Sequence, residues 1–292
     1  MPALTLERFA LMDLKTLISE IKELPTLPQV AVTLMDLLDD PSTSAPEINR
    51  VMARDPALAG KILKLVNSAY YGLSNKVSSL NQAIVILGFK TVKSVALSAS
   101  VMGLFKGPQG AGCFDRALFW KHSIACACVA RLAADRTKGF DPETAFSAGL
   151  LHDIGKLVLA HHLPAKADEI VETAVDGKMS FLEAESRVIE TSHPEIGQWL
   201  AATWSLPDEL VESIGSHHDL ASATNRQITA VILFADYLSK IKGIGAPGSA
   251  ETPELPKEVW ELLALEKSDL PKLVNAINQE IDAASSWIEV AA

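Results

Sequence analysis

The chain has 292 residues, of which 48% are hydrophobic and 21% charged, so it can bury a sizeable core as one large domain or as two helical lobes. Its 26 basic and 36 acidic residues give a formal net charge of -10, which excludes a general electrostatic attraction to nucleic acid or to an anionic membrane surface. No nucleic-acid partner and no membrane association are therefore expected.

Targeting and membrane-spanning segments are not expected either. No N-terminal stretch has the pattern of a signal peptide, and lysines at 90, 93 and 106 interrupt the most apolar segment well before the roughly 20 residues that span a bilayer. The three cysteines, Cys113, Cys126 and Cys128, are an odd number in a long chain and favour a cytoplasmic location. We interpret Cys126 and Cys128 as small buried apolar residues and not as metal ligands.

Helix signals recur along the whole chain, whereas alternating strand patterns flanked by hairpin turns are missing, so the predicted fold is all-α. The segment Leu24-Pro-Thr-Leu-Pro28 predicts a rigid extended piece between the first two helices. Ser44 and Glu47 have capping-box spacing, and Asp55-Pro56 supplies an N-cap followed by a proline at the first helical position. Two short helices are therefore predicted in succession.

The second of these helices is predicted to bury one face and to stop at Gly72. The residues of that face are Leu58, Ile62, Leu65, Val66 and Ala69. Ser79 with Gln82 predicts the start of another helix, and Gly88 its end.

Loop-like composition near Gly110-Ala-Gly112 and from Gly243 to Pro256 predicts a two-lobed helical bundle. Residues 1–110 form an N-terminal lobe, residues 111–245 a second lobe of long apolar helices, and residues 246–292 terminal helices that pack back. The apolar residues predicted to make that packing are Leu273, Val274, Ile277 and Ile281. Exposed apolar residues on the terminal helices would permit a homodimer.

Seven polar side chains of the second lobe form a candidate metal site: His122, His152, Asp153, His193, His217, His218 and Asp236. Neutral imidazole and carboxylate suit divalent iron, manganese or zinc, and the spacing suits ligands drawn from successive helices of a bundle. Adjacent ligands such as His152 and Asp153 can reach one ion near a helix end. His161 and His162 fit no such pattern and are predicted at the surface or at a helix end.

Single members of this set also have simpler interpretations. Alone, His122 would be a hydrogen-bonded core histidine, and His193, before a proline, would be a helix cap. Asp236 is harder to explain, because a carboxylate on a buried apolar face is costly unless it is paired or binds a metal. The ordered set as a whole favours a metal centre.

Lys156 follows Asp153 by three residues and His152 by four, so it shares a helix face with them. There it is placed to hold a phosphate oxygen beside the metal, and Gly155 is predicted to leave room for a ligand. Lys156 and Asp153 are the candidate catalytic residues.

In combination these motifs resemble the HD superfamily of metal-dependent phosphohydrolases and, within it, the HDOD domain, the HD-related output domain of bacterial signalling proteins. The resemblance covers nearly the whole chain. It rests on Leu24-Pro-Thr-Leu-Pro28, Asp55-Pro56-Ala-Leu, Val66-Asn-Ser-Ala-Tyr-Tyr-Gly72, Ala83-Ile-Val-Ile-Leu-Gly88, Leu151-His-Asp-Ile-Gly-Lys156, His193-Pro-Glu-Ile-Gly, Trp204-Ser-Leu-Pro207 and His217-His218.

The resemblance implies that the second lobe is an HD-type lobe with one or two divalent transition-metal ions, which could be iron, manganese, zinc or nickel. Its first ion would take His122, His152, Asp153 and Asp236. The remaining ligands, His193, His217 and His218, match positions that hold a second ion in the HD-GYP cyclic-dinucleotide phosphodiesterases, with Asp153 expected to bridge the two. The chain departs from HD-GYP because no Gly-Tyr-Pro follows His218.

Two functions are compatible with these features. The first is a bacterial signal-transduction output module that binds a signalling protein or a nucleotide and need not turn anything over. The HDOD-type N-terminal lobe and the missing Gly-Tyr-Pro favour it. The alternative is a metal-dependent phosphohydrolase that acts on a nucleotide or cyclic dinucleotide, where the ions activate water and Lys156 stabilises phosphoryl charge. The complete ligand set supports this alternative, and whether the chain is an enzyme stays open.

Overall fold

Every regular element that the computed structural model describes is helical. The description covers residues 25–40, 42–105, 112–137, 140–245 and 254–291, and within these ranges there are sixteen α-helices, two 3₁₀ turns and no strand. The all-α prediction is therefore confirmed.

The described residues of the N-terminal part form five helices, and three of them begin after the predicted capping residues Ser44, Asp55 and Ser79. Ser44 and Glu47 form the capping box of the second helix, and the Asp55 carboxylate accepts a hydrogen bond of 2.9 Å from the Leu58 amide. Residues 25–28 form no helix, and Pro28 has φ -53° and ψ 134°, whereas Leu24 lies outside the described residues. The helices are α1 (Gln29–Asp39), α2 (Ala45–Met52), α3 (Pro56–Val66), α4 (Leu80–Leu87) and α5 (Phe89–Leu104).

The predicted end of α3 is wrong, since the helix stops at Val66 and not at Gly72. The side chain of Asn67 donates to the Val77 carbonyl at 2.8 Å and accepts from its amide at 2.7 Å. These bonds draw the chain away from the helix axis. Ala69 is exposed at the start of a 3₁₀ turn, which Gly72 ends with φ 57°.

The second part of the chain is built around one central helix, α6 (Arg116–Arg136), which packs against α7, α13, α15 and α16. Eight helices belong to this part: α6, α7 (Pro142–Leu151), α8 (Ile154–His162), α9 (Pro164–Gly177), α10 (Phe181–Val188), α11 (His193–Thr203), α12 (Asp208–Ser216) and α13 (Arg226–Ile241). The last one ends at Ile241, just before the loop-like stretch that begins at Gly243.

Among the described helices, α6 alone is long and apolar enough to cross a membrane by length and composition. The expectation that no segment reaches this length is therefore wrong for α6. Of its most apolar window, 72% is buried inside the protein. This burial is what the central helix of a helical core requires.

The N-terminal helices pack directly on the second part. Helix α5 lies against α7, where the hydroxyls of Ser94 and Ser147 are 2.9 Å apart. The Trp204 indole, just after α11, donates to the Pro25 carbonyl at 2.7 Å. The division into lobes of residues 1–110, 111–245 and 246–292 stays a prediction, because its boundaries fall at or beside residues 106–111 and 246–253, outside the described ranges.

Three further helices close the chain: α14 (Lys257–Leu262), α15 (Leu270–Ala283) and α16 (Ser285–Ala291). Leu273 and Ile277 are buried as predicted, while Val274 and Ile281 are only partly buried. Trp287 is fully buried in an aromatic cluster, with ring centroids 6.0 Å from Tyr70 and 5.1 Å from Phe146. The last helix therefore joins the N-terminal part to the second part.

We predict that Trp287→Ala lowers the free energy of unfolding by about 3 to 5 kcal/mol, because it empties a large buried site that the two parts share. Denaturant unfolding measures this change. The control is Glu289→Ala on the same helix, whose ion pair with Lys64 is solvent-exposed and should be worth less than about 1 kcal/mol. Equal losses in the two variants would contradict the prediction.

Candidate metal centre

Helix ends and helix faces bring the seven predicted ligands to one place in the core. His122 lies on α6 and Asp236 on α13, while His152 and Asp153 occupy the junction of α7 and α8. His193 begins α11, and the adjacent pair His217 and His218 follows α12. His218 is partly buried, and each of the other six is at most 3% exposed.

The potential ligand atoms form two groups, in each of which they lie within 4.8 Å of one another. The first group consists of His122, Cys126, His152 and Asp236, and the second of Asp153, His193, His217 and His218. In the first, Asp236 Oδ1 is 3.0 Å from His122 Nε2 and 4.0 Å from His152 Nε2. In the second, His193 Nε2 is 3.2 Å from His217 Nε2 and 3.1 Å from His218 Nε2.

Asp153 lies between the two groups. Its Oδ1 is 3.2 Å from His193 Nε2 and 3.4 Å from His217 Nε2. Its Oδ2 is 3.4 Å from His152 Nε2, on the side of the first group. One carboxylate oxygen thus faces each group, which is the arrangement that a bridging role for Asp153 requires.

Hydrogen bonds behind the imidazoles orient them towards the centre. The Nδ1 atoms of His152 and His217 donate to the carbonyls of Gly149 and Ile214, at 2.8 and 2.7 Å. Because a carbonyl oxygen only accepts, Nδ1 carries the proton in each neutral ring and the Nε2 lone pair points inward. Metal-binding histidines are commonly held in this way.

Unpartnered polar atoms test whether these residues fit a metal ion. His152 Nε2, Asp153 Oδ1 and Asp236 Oδ1 are buried and have no hydrogen-bond partner among the described residues. Leaving such atoms unpaired in a core is costly, and all three face the two groups. A cation in each group would satisfy them, so the donor set fits divalent metal.

Two lysines, one buried (Lys156) and one partly buried (Lys240), offset the negative charge of the aspartates. Lys156 Nζ donates to Asp153 Oδ2 at 2.7 Å, and Lys240 Nζ to Asp236 Oδ2 at 2.6 Å. Burial opposes ionisation of Asp236, but Lys240, His122 and His152 together hold the Asp236 pKa well below its usual range. Burial likewise opposes ionisation of Asp153, whose pKa is held well below its usual range by His152 and Lys156 together with the imidazoles of His193 and His217.

The imidazoles differ in their protonation. Burial lowers the pKa of His152 to about 3, so this ring is neutral. Burial also disfavours the charged form of His122 and His193. Even so, Cys126 and Asp236 raise the pKa of His122 to about 10, and Glu185 raises that of His193. A metal ion would have to displace these two protons, as is usual when metal binds to histidine.

The structure corrects the role predicted for Gly155 and constrains that of Lys156. A Cβ at position 155 would collide with the His193 carbonyl oxygen, so Gly155 permits close packing of α8 on α11 and leaves no room for a ligand. Lys156 shares a face with Asp153 as predicted, but it is only 4% exposed and already bonded to that carboxylate. Its contact with a phosphate stays a prediction.

Glu185 and Lys240 near the centre were missed from the sequence, and Cys126, interpreted there as a buried apolar residue and not a metal ligand, lies in the first group. Cys126 and Lys240 each follow a predicted ligand by four residues on the same helix, so helical spacing could have revealed them. Glu185 lies on α10, and its carboxylate accepts from His193 Nδ1 at 2.7 Å. No local pattern indicates that contact.

His161 and His162 lie at the end of α8, outside both groups, as expected.

The chain is similar to several known proteins. The model of the HDOD domain family matches residues 24–220. An HDOD domain protein with unknown function from Geobacter sulfurreducens is 26% identical, with a TM-score of 0.79 over 93% of this chain and 96% of its own. A candidate phosphohydrolase from Shewanella amazonensis SB2B is also 26% identical, with a TM-score of 0.73 over 94% of this chain and 98% of its own.

Among curated proteins, Ribonuclease Y of Thermus thermophilus is 33% identical over 147 residues, which are 50% of this chain and 20% of that protein. The chain spans less than half the length of the first curated relatives that it matches, at 42%, 34% and 20%.

We predict that the purified protein carries one to two equivalents of transition metal per chain, because two groups of inward-facing ligand atoms are present. Elemental analysis measures the content. His161→Ala should leave it unchanged, since His161 lies outside both groups. Less than about a tenth of an equivalent, even after refolding with iron and manganese, would rule out the centre.

We also predict that Glu185→Gln weakens metal binding at the second group about 10- to 100-fold, as is typical for loss of a carboxylate behind a ligating histidine. Competition with a chelator measures the affinity. Glu190→Gln removes an exposed carboxylate nearby and should change nothing. Unchanged affinity in Glu185→Gln would mean that His193 does not ligate through Nε2.

Proposed function

The chain belongs to the HDOD family, and we propose that it is a signal-transduction output module whose buried metal centre stabilises the conformation that a signalling partner recognises. The burial of the ligands carries this proposal. Six of the seven predicted ligands are at most 3% exposed. Structural metal sites are closed in this way, whereas catalytic sites keep a position open for water and substrate.

The lysine pairs support the same function. A phosphohydrolase uses free cations to bind phosphoryl oxygens, but Lys156 and Lys240 each donate to a predicted ligand carboxylate instead. Their charge stabilises the polar centre inside the core. A phosphate group would have to break these bonds before either lysine could bind it.

The surface offers places for a partner. On α4, Val85 and Ile86 are 85% and 49% exposed, and adjacent exposed apolar side chains favour docking of a signalling protein.

A nucleotide is the alternative partner, for which the cleft between α5 and α7, with a volume of about 430 Å³, is large enough. Three free cysteines agree with function in the cytoplasm.

The second candidate function is a metal-dependent phosphohydrolase. It is favoured by the partial exposure of His218 and by the likeness of half the chain to a ribonuclease. Bound metal would supply an activated water and charge stabilisation. In that case Asp153 would hold the ions in place, and Lys156 would have to exchange its carboxylate partner for a phosphoryl oxygen.

Turnover of a phosphodiester separates the two functions. We predict that protein loaded with iron, manganese or zinc hydrolyses bis(p-nitrophenyl) phosphate and cyclic dinucleotides no faster than metal-stripped protein, because the ligands are closed to substrate. Steady, metal-dependent turnover that Asp153→Ala abolishes and His161→Ala retains would establish the hydrolase and overturn the output module. Bound metal should be measured in each sample.

A further inference from the structure

Cys126 lies in the first group of ligand atoms although cysteine is not among the ligands that the family resemblance implies. It follows His122 by four residues on α6, so the two side chains share a helix face. Cys126 is fully buried, and its Sγ is 3.5 Å from His122 Nε2. The thiol, both imidazoles and the Asp236 carboxylate all present an atom within 4.8 Å of one another.

Of three separations within the group, one falls inside the range for a four-coordinate ion and the other two lie close to its limits. Tetrahedral bonds of about 2.1 Å to nitrogen or oxygen and about 2.3 Å to sulfur place the ligand atoms roughly 3.3 to 3.8 Å apart. The separations from His122 Nε2 are 3.0 Å to Asp236 Oδ1 and 3.5 Å to Cys126 Sγ. The spacing between His152 Nε2 and Asp236 Oδ1 is 4.0 Å.

Two atoms of the group show independently that a ligand belongs there. His152 Nε2 and Asp236 Oδ1 are buried and lack a hydrogen-bond partner in the described parts of the chain. Their residues belong with Cys126 to one group of potential ligand atoms. The case for a metal site therefore does not rest on the buried cysteine alone.

Asp153 also approaches this group, since its Oδ2 is 3.4 Å from His152 Nε2. The same oxygen is 3.9 Å from His122 Nε2, compared with 3.5 Å for the Cys126 sulfur, and it accepts the hydrogen bond of Lys156 at 2.7 Å. Asp153 Oδ1 faces the second group. With His122, His152 and Asp236 in three positions, the sulfur is available for the fourth.

We propose that Cys126 is a thiolate ligand of the ion in the first group, which makes this a site of two histidines, one aspartate and one cysteine. The inference rests on the proposed metal centre and adds its selectivity. On binding, the thiol loses its proton to solvent and the sulfur lone pair forms the bond to the ion. A thiolate favours zinc, cobalt or ferrous iron over manganese or magnesium.

The simpler alternative is that Cys126 only fills space, since its thiol also donates to Ser239 Oγ at 3.4 Å. Cys128 supplies a matched control for this alternative. It is equally buried on the same helix, but two residues further on, where it points to another face and belongs to neither group.

Cobalt(II) reports a sulfur ligand directly, because a thiolate bound to cobalt gives an intense near-ultraviolet charge-transfer band. The full chain is stripped, loaded with cobalt(II) and compared with Cys126→Ser and Cys128→Ser, with bound cobalt measured in each. We expect the band in the wild type and in Cys128→Ser, and its loss in Cys126→Ser with cobalt still bound. Circular dichroism of the metal-free variants verifies folding.

Cobalt bound to the wild type without this band, or a band that survives in Cys126→Ser, would overturn the cysteine ligand and leave the metal centre standing. No bound cobalt in the wild type would overturn both. As a second measurement, the ratio of zinc affinity to manganese affinity should fall at least about tenfold in Cys126→Ser. Loss of a residue that only hydrogen-bonds to a ligand already costs about that much in metal affinity. An unchanged ratio would also count against the proposal.

Discussion

Burial of Asp153 and Asp236 among imidazole lone pairs is the constraint on which the rest of this structure depends. An unpaired carboxylate in a helical core costs several kcal/mol, and each of these two is offset by one lysine. The lysines leave Asp153 Oδ1 and Asp236 Oδ1 without partners in the described structure. A divalent cation in each group would complete the compensation with the donors that are already present.

The position of these ligands ties the fold to the state of the centre. They come from α6 and α13, from the α7–α8 junction, and from the two ends of the α11–α12 pair. Helix α7 also packs against α5 of the N-terminal part. Metal bound at the centre would therefore stabilise an arrangement that extends to the N-terminal helices, and anything that binds the same arrangement is thermodynamically coupled to the metal.

Local features were predictable from the sequence, whereas long-range contacts were not. The caps at Ser44 and Asp55 depend on neighbours within three residues, so the sequence alone places them. The seven ligands, which the fold brings together, were predictable because their motifs are specific as a combination. The early end of α3 depends instead on Asn67 reaching Val77, and the contact of Glu185 with His193 depends on how α10 packs. Such contacts have no periodic signal.

Whether the protein acts as an output module or as an enzyme depends on substrate access to the metal centre at its most exposed residues. His218 is the least buried of the predicted ligands, and Lys240 is 10% exposed beside Asp236. A phosphodiester that approached at these two residues would have to compete with Asp236 for the Lys240 ammonium group. Because the Asp236 carboxylate is held one helical turn from Lys240, the competition favours the pair of Lys240 with Asp236 over a pair of Lys240 with a phosphodiester.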